Sequence, residues 1–501
     1  MKARLCLSAF RRLALLAVVA FCMWQSYEAV SPYFRSRDAY SYYESWRAAA
    51  RSAPEGSIAL LCGDSGSVNP VDRSRLIAMS WERSPDAPAA VDAFSGLQDF
   101  DAVLSSTWVS NPVAAKLESA GFSVASSNEY VKTWTRGGCS ARERRISDDN
   151  VPPLRELAAL ALELVIALSV SALVSKRRFP GGWTFAVALA VALVLGAVAL
   201  SHPLLAPNGL GVYGGKAKLL FECGSFPDGF WTDPRYSVFQ PSYPPGLTFV
   251  AWLHFALSGG CGDRLVQLTV VFAMAVLCLL MARGSRRRQD ALAAAVFCLS
   301  PIAVRMSAGF YAEPFAALML LCGWNMAADG RRTCGAFAMG LAALFRLEAC
   351  PVAFLFAAGA CAFAEGRRER VAMLAASAAP AFAWFAFCAV AGGGGPSDWD
   401  FSKAPQFGQV AYAALCEAKA LGMFVLPAAA LSIFKSPLNR PRLSAAPVPS
   451  LAPTAVLLIA IPAVCAFHDS PHARWMIDNT IPRLVWYISA IPLFGKAQRR
   501  S

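Results

Sequence analysis

Two neighbouring stretches, NGLGVYGGKAKLLF at 208–221 and FWTDPRYSVFQPSYPPG at 230–246, decide how the chain reads. Both are rich in Gly, Pro, aromatic and charged residues, and they lie between long runs of Ala, Val and Leu. Turn-rich polar sequence is at ease in water and costly in lipid, where unpaired backbone groups find no partner. The segment 202–263 therefore reads as a large aqueous loop, either an active-site loop or a plain solvent-exposed connector, in a chain otherwise built for a membrane.

The flanking runs set the fold class. The chain has 501 residues, 56% hydrophobic and 16% charged. That charged share is below the quarter or so of a soluble domain. Apolar runs of about 16 to 22 residues recur, near the length a helix needs to cross the hydrocarbon core. Candidate spans are 154–174, 182–201, 264–283, 288–305, 312–328, 334–345, 349–364, 371–391, 415–434, 451–467 and 480–495. With an uncleaved anchor at 1–28 these make about twelve. The expected fold is a polytopic α-helical membrane protein of about twelve transmembrane helices, carrying a small inserted α/β domain on its outer face.

Charge gives the orientation. The net charge is +13, which in a soluble protein would suggest nucleic acid. Here the basic residues form short clusters at the ends of apolar runs: Arg11–Arg12, Lys176 to Arg178, Arg283 to Arg288, Arg331–Arg332, Arg367 to Arg370, Lys435 to Arg442 and Arg499–Arg500. This is the positive-inside pattern, not a nucleic-acid surface. The clusters all fall on one side if YPPGLTFVAWLHFALSG (243–259), which contains His254, is a surface helix and not a crossing. Both termini are then cytoplasmic, in a multi-pass plasma (inner) membrane protein. The loop 202–263, SAGFYAEP (307–314), FRLEAC (345–350), 392–409 and HDSPHARWMIDN (468–479) face outward.

The segment 29–150 is polar and long enough for a small domain. SIALLC (57–62), FDAVLSS (100–106), SVASS (123–127) and YVKTWTR (130–136) read as strands. DAYSYYESWRAAARSA (38–53), VDRSRLIAMSWERS (71–84) and NPVAAKLESAGF (111–122) read as helices. The turn Gly63-Asp64-Ser65-Gly66-Ser67 reads as a strand-to-helix turn or a phosphate cradle. The residues 151–501 form the membrane domain. Of the 15 cysteines, most lie in apolar runs as small hydrophobes. Cys62, Cys139, Cys223 and Cys261 fall outside, where an oxidising compartment permits a disulfide.

Charges inside the apolar half stand out. Arg346 and Glu348 interrupt 334–364, so they sit in a tight interfacial turn or line a cavity. Glu313, directly before Pro314, reads as a helix N-terminal acid favoured by the dipole or as a site acid.

Taken in order, several stretches resemble a family. GLGVYGGKAKLLFECGSF followed by FWTDPRYSVFQPSYPPGLTFVAWL is similar to the first large outer loop of bacterial polytopic C-type glycosyltransferases, which use polyprenyl-phosphate sugars and include protein-mannosyltransferase- and arabinose-transferase-like folds. That loop carries an acid–Gly–Trp–x–x–Trp–x–x–Lys–Ala–Lys signature, then TDP, then Tyr-Pro-Pro or Tyr-Pro-Leu. GFYAEPFAALML, LAALFRLEACPVAFL and HDSPHARWMIDNTIPRLVWYISAIPLF resemble the family's later outer elements, over about 200–495. The resemblance implies a bacterial cell-envelope transferase that moves a sugar, with inversion, from a polyprenyl-phosphate donor to a glycan, lipid or protein acceptor at the outer face. Membrane lipid is a partner and nucleic acid is not. No cofactor and no metal ligand are implied, and a divalent ion is optional.

Phosphate prefers charge-assisted bonds, and Lys216, Lys218, Arg235 and Arg474 are the outer basic residues chosen for it. Asn208, Tyr213, Tyr243, Arg346, Glu348 and His472 complete the candidate substrate-binding set. An acceptor hydroxyl needs a carboxylate to take its proton. Counting back from Lys216, the acid position holds Asn208, and the two Trp positions hold Leu210 and Tyr213. Asn cannot serve as a base. Glu222, Asp228, Asp233 and Glu313 are the replacements, and Asp233 and Glu313 are the preferred catalytic acids. The acid in TDP also suits a turn cap. A non-catalytic relative that binds lipid-linked glycan in envelope assembly, and a lipid-linked glycan transporter, are the alternatives.

Overall fold

The computed structural model describes residues 58–61, 71–72, 75–79, 102–106, 111–127, 131–136, 154–155, 157–163, 165, 182–201, 208–226, 229–232, 239–283, 288–392, 407–422, 448–465 and 473–494. The anchor at 1–28, the helix expected at 38–53 and the glycine turn at 63–67 lie outside these residues.

Among the described residues the N-terminal part holds six strands, β1 (Ile58–Leu61), β2 (Val71–Asp72), β3 (Arg75–Met79), β4 (Ala102–Ser106), β5 (Phe122–Ser127) and β6 (Val131–Arg136), with helix α1 (Asn111–Ser119) before β5. The sheet order is β2-β3-β1-β4-β6-β5. β1 runs parallel to β3 and β4, while β6 is antiparallel to β4 and β5, so the sheet is mixed. Ala102, Val103, Leu104, Leu117, Phe122, Val131 and Trp134 are buried around its centre.

One expectation fails here. The stretch 71–84 was expected as a helix, but 71–72 and 75–79 are strands. Leu76-Ile77-Ala78-Met79 is a short apolar run, and such runs suit a buried strand as well as a helix. The register of Ile77 on Ile58 and of Val71 on Leu76 decides it through partners distant in sequence.

The rest is helical. In chain order come α2 (Gly182–Leu200), a π-helical turn at Asn208–Gly215, α3 (Lys216–Cys223), α4 (Gly246–Ser258), α5 (Asp263–Val266), α6 (Leu268–Arg283), α7 (Arg288–Cys298), α8 (Pro301–Ala308), α9 (Glu313–Ala328), α10 (Arg332–Gly340), α11 (Ala349–Ala360), α12 (Arg367–Val390), α13 (Phe407–Ala420), α14 (Val448–Cys465) and α15 (Ala473–Phe494). Among the described residues α2 and α12 are long and apolar enough to cross a membrane alone. The bent pair α7–α8 makes a third candidate, and six shorter apolar helices accompany them. Most expected span boundaries from 182 to 390 meet a helix, but the expected count of about twelve crossings goes beyond these spans.

The expected span 288–305 is broken, with a 58° bend between α7 and α8. Pro301 has no N–H to offer the Phe297 carbonyl four residues back. That carbonyl instead accepts from Ser300 Oγ at 2.7 Å and from the Trp486 indole Nε1 at 3.1 Å. The Trp486 ring also stacks on Phe297, 4.9 Å between centroids. The break therefore fastens α15 to α7.

Small residues let the other helices approach closely. A Cβ on Gly323 would lie 2.4 Å from the Gly335 carbonyl oxygen, and one on Gly335 would lie 2.5 Å from that of Gly323. This seam joins α9 to α10. Gly340 meets the Ser377 carbonyl in the same way, joining α10 to α12.

α4 covers 13 residues, about 20 Å of helix, and is too short to cross by itself. It buries Leu247, Ala251, His254, Phe255 and Ser258 on one face. Phe249, Trp252, Leu253 and Leu257 stay exposed on the other. This agrees with a helix lying along a bundle. The segment 202–263 is more structured than an open loop, since it contains the π-helical turn, α3 and α4.

Candidate functional site

The loop sequences fold onto the ends of the bundle and bury there. The π-helical turn runs straight into α3 and carries Tyr213. π-Helical turns are uncommon and occur often at functional sites. Tyr213 is fully buried, donates its hydroxyl to the Phe345 carbonyl at 3.3 Å, and meets Tyr243 edge-on at 6.2 Å. Lys216 is buried too, and its Nζ donates to the carbonyls of Gln240 (3.4 Å) and Tyr243 (3.0 Å). The turn 240–245 is pinned from the other side by Trp384 Nε1, which donates to the Ser242 carbonyl at 3.0 Å.

α4 begins at Gly246 because nothing larger fits. A Cβ there would lie 2.6 Å from the Leu344 carbonyl oxygen and 2.9 Å from the Phe345 ring. This close approach sets the Tyr243–Pro245 turn against the 345–348 turn. Phe345 in turn stacks flat on Phe315 of α9, at 5.1 Å and 4°.

Four charged groups meet at this point. Glu313 Oε1 accepts from Arg483 Nη1 at 2.8 Å and lies 3.5 Å from Arg346 Nε. Arg346 Nη2 donates to Glu348 Oε1 at 2.7 Å. The Arg346 guanidinium sits over the Tyr243 ring at 5.6 Å, and that of Arg483 over Tyr311 at 4.7 Å. Glu313 and Arg346 are almost fully buried, whereas the Glu348 side chain keeps 31% exposure and forms the edge of the cluster. The Tyr487 hydroxyl, one turn beyond Arg483, lies in the electrostatic reach of all four charges.

Burial and charge set the protonation of the loop residues. Burial pulls the Lys216 ammonium down to about 7, against a small opposing effect of Cys388. Burial pushes the Tyr243 phenol up to about 12, with Arg346 opposing. Burial pulls the Arg346 guanidinium down, and Glu348, Tyr243 and Glu313 outweigh it, so the group is held charged more firmly than usual.

Two backbone strains frame the cluster. Gln240 (φ 45°) and Phe310 (φ 55°) are the non-glycine residues with positive φ among the described residues. A bulky residue in that region is strained, and such strain concentrates at ligand sites and switches. Gln240 supplies a carbonyl to Lys216. Phe310 turns the chain between Tyr311 and α8, three residues before Glu313.

The opposite ends of the same helices carry a second, more exposed polar layer. Arg332 bridges Glu365 and Glu369, each at 2.8 Å. α9, α10, α11 and α12 thus present Glu313, Arg346 and Glu348 at one end and the basic clusters at the other.

Six of the sequence-chosen residues come together: Tyr213, Lys216, Tyr243, Glu313, Arg346 and Glu348. Lys216 and Lys218 are among the outer basic residues expected to meet phosphate, and both are buried. The Lys216 amine is engaged by backbone carbonyls because α3 packs beneath the 240–245 turn. Asn208 opens the π-helical turn and Arg474 lies in the first turn of α15. Asp233, Arg235 and His472 lie outside the described residues. Cys223 is exposed and Cys261 is buried, and no bridge joins them; Cys62 and Cys139 are not among the described residues. Among the described residues no group of three or more His, Cys, Asp or Glu forms a metal-ligand set.

The sequence reading missed Arg483, Tyr311 and Tyr487. Arg483 had a signal, a lone charge within the apolar run 480–494. No family model matches the chain, and comparison with curated proteins and solved structures returns no match.

Proposed function

We propose that the chain is a polytopic membrane transferase of about twelve crossings. It moves a sugar from a polyprenyl-phosphate donor to an envelope glycan, lipid or protein acceptor at the outer face. One observation carries this reading. Residues from 213, 243, 313, 346–348 and 483, far apart in sequence, converge at the helix ends opposite the basic clusters. By the positive-inside rule those ends face outward, where a lipid-borne donor and an envelope acceptor can meet.

In the proposed step an acceptor hydroxyl oxygen attacks the anomeric carbon. The new C–O bond forms as the bond from that carbon to the carrier phosphate breaks, with inversion. The hydroxyl proton goes to a carboxylate, and the polyprenyl phosphate leaves with the bonding pair. Glu313 is held by two arginines, with Oε2 as its one uncommitted oxygen. Such a carboxylate is better placed to orient groups than to shuttle a proton, so Asp233 is the preferred base. The reading calls for no cofactor.

The test reconstitutes the full chain in proteoliposomes with polyprenyl-phosphate hexoses and pentoses and follows sugar transfer. Transfer is expected, and it falls about 100-fold in Asp233→Asn, the loss typical of a general base. Absence of any new glycosidic bond across the panel overturns the reading. Asn208 favours a second one, a non-catalytic glycan binder. It gains ground if wild type binds donor without turnover and Asn208→Asp introduces turnover.

A further inference from the structure

We propose that the Glu313–Arg346–Glu348–Arg483 cluster, together with Tyr487, is a subsite for the hydroxyl groups of a neutral sugar and not for the carrier phosphate. This rests on the transferase reading above and narrows it.

The charges come first. Among the described residues two carboxylates and two guanidiniums balance, and they are already joined through Glu313 Oε1 with Arg483 and Arg346, and through Glu348 Oε1 with Arg346. A phosphate would find one unpaired guanidinium donor, Arg346 Nε, but would have to lie beside the Glu313 and Glu348 carboxylates to reach it. A divalent cation would add charge next to two arginines. Either ion meets a desolvation cost that this balanced cluster does not offset. Lys216 offers a phosphate little more, since its amine is directed at two carbonyls.

The uncommitted atoms come second. Glu313 Oε2, Glu348 Oε2, Arg346 Nε and the Tyr487 hydroxyl are each buried and have no hydrogen-bond partner among the described residues. Tyr487 is fully buried and Glu313 nearly so. A buried polar atom left unpaired is costly, and four around one cluster call for a ligand. Carboxylate oxygens only accept, while a phenol both donates and accepts. The complementary ligand therefore brings several O–H donors and at least one acceptor without net charge, as a pyranose or furanose ring does. The partly exposed Glu348 side chain marks the way in. The chemistry is shared by the donor's sugar and a glycan acceptor.

The experiment uses the full-length protein in nanodiscs and saturation-transfer NMR. The probes are neutral methyl hexopyranosides and methyl pentofuranosides, with inorganic phosphate and Mn²⁺ as separate arms. At least one methyl glycoside is expected to bind saturably, undisplaced by phosphate. Tyr487→Phe keeps the ring and removes one hydrogen-bonding group, so binding should weaken about 3- to 10-fold. Glu348→Gln turns an acceptor into a partial donor at the exposed edge, and should shift which glycoside binds best.

The proposal falls if no glycoside binds, if Tyr487→Phe binds as wild type does, or if phosphate or Mn²⁺ displaces the glycoside. Failure of the transferase reading looks different. Glycoside binding lost in Tyr487→Phe with no sugar transfer leaves this subsite standing and removes the enzyme. Transfer with a KM unchanged in Tyr487→Phe does the reverse. Where transfer occurs, a raised KM for donor or for acceptor identifies which of them supplies the hydroxyls.

Discussion

Glu313→Gln keeps the size of the side chain and removes its charge. In the native protein this carboxylate is 1% exposed and accepts from Arg483, itself 9% exposed, at 2.8 Å. It also lies 3.5 Å from Arg346, which keeps Glu348 at 2.7 Å. The loss therefore falls mainly on Arg483. Breaking a buried pair by removing one partner costs about 3–5 kcal/mol. The Tyr311 ring, 4.7 Å from the Arg483 guanidinium carbon, stays in place and retains about 0.5–2 kcal/mol. The expected destabilisation is about 3 kcal/mol. Replacing both partners removes the charge that Glu313 balanced, so Glu313→Gln/Arg483→Met should lose less than the sum of the two single variants. Denaturant unfolding in mixed micelles, read by Trp fluorescence, gives the four corners of a double-mutant cycle. A single-variant cost below about 1 kcal/mol, or a double variant equal to the sum of the singles, would refute the buried ion pair as a structural centre.

Two further outcomes follow from the loop. Lys216 has its proton affinity lowered by burial to about 7, while the unfolded chain holds the proton to about 10.4. The unfolded state then binds more protons between these values, so stability should rise with pH from about 7 to about 10. Lys216→Met should flatten that rise in melting temperatures taken across the range; an unchanged slope would show the amine is not buried as described. Gly246→Ala places a methyl 2.6 Å from the Leu344 carbonyl oxygen, which should cost about 1–3 kcal/mol and lower the melting temperature, whereas Gly366→Ala, with nothing near its Cβ, should cost less.

Apolar run length placed most helices of the membrane half, because a buried helix imposes its own sequence length. The same runs could not announce the α7–α8 break, since the apolar run 288–305 continues through Pro301 and the Trp486 indole that holds the carbonyl Pro301 leaves comes from far along the chain. Charge in an apolar setting pointed to Glu313, Arg346 and Glu348 one by one. Their mutual contact, and the part of Arg483, depend on how α9 and α15 pack, which no local pattern encodes. The burial of Lys216 was not legible for a similar reason. A Lys in a Gly-rich polar stretch reads as exposed, but the close approach at Gly246 folds the 240–245 turn over it. In the small domain the strand β3 was hidden because its partner β1 lies almost twenty residues earlier.

The carbonyl of Phe297 has one more consequence, in time. The Trp486 indole that caps it lies 189 residues further along the chain. During synthesis at about 5–20 residues per second, α7 and α8 emerge roughly ten seconds or more before that indole exists. For that interval Phe297 has only its own neighbour, Ser300, to answer it. The bend is thus an early feature that matures late. A chain stalled before α15 would lack the indole that completes the cap on this kink.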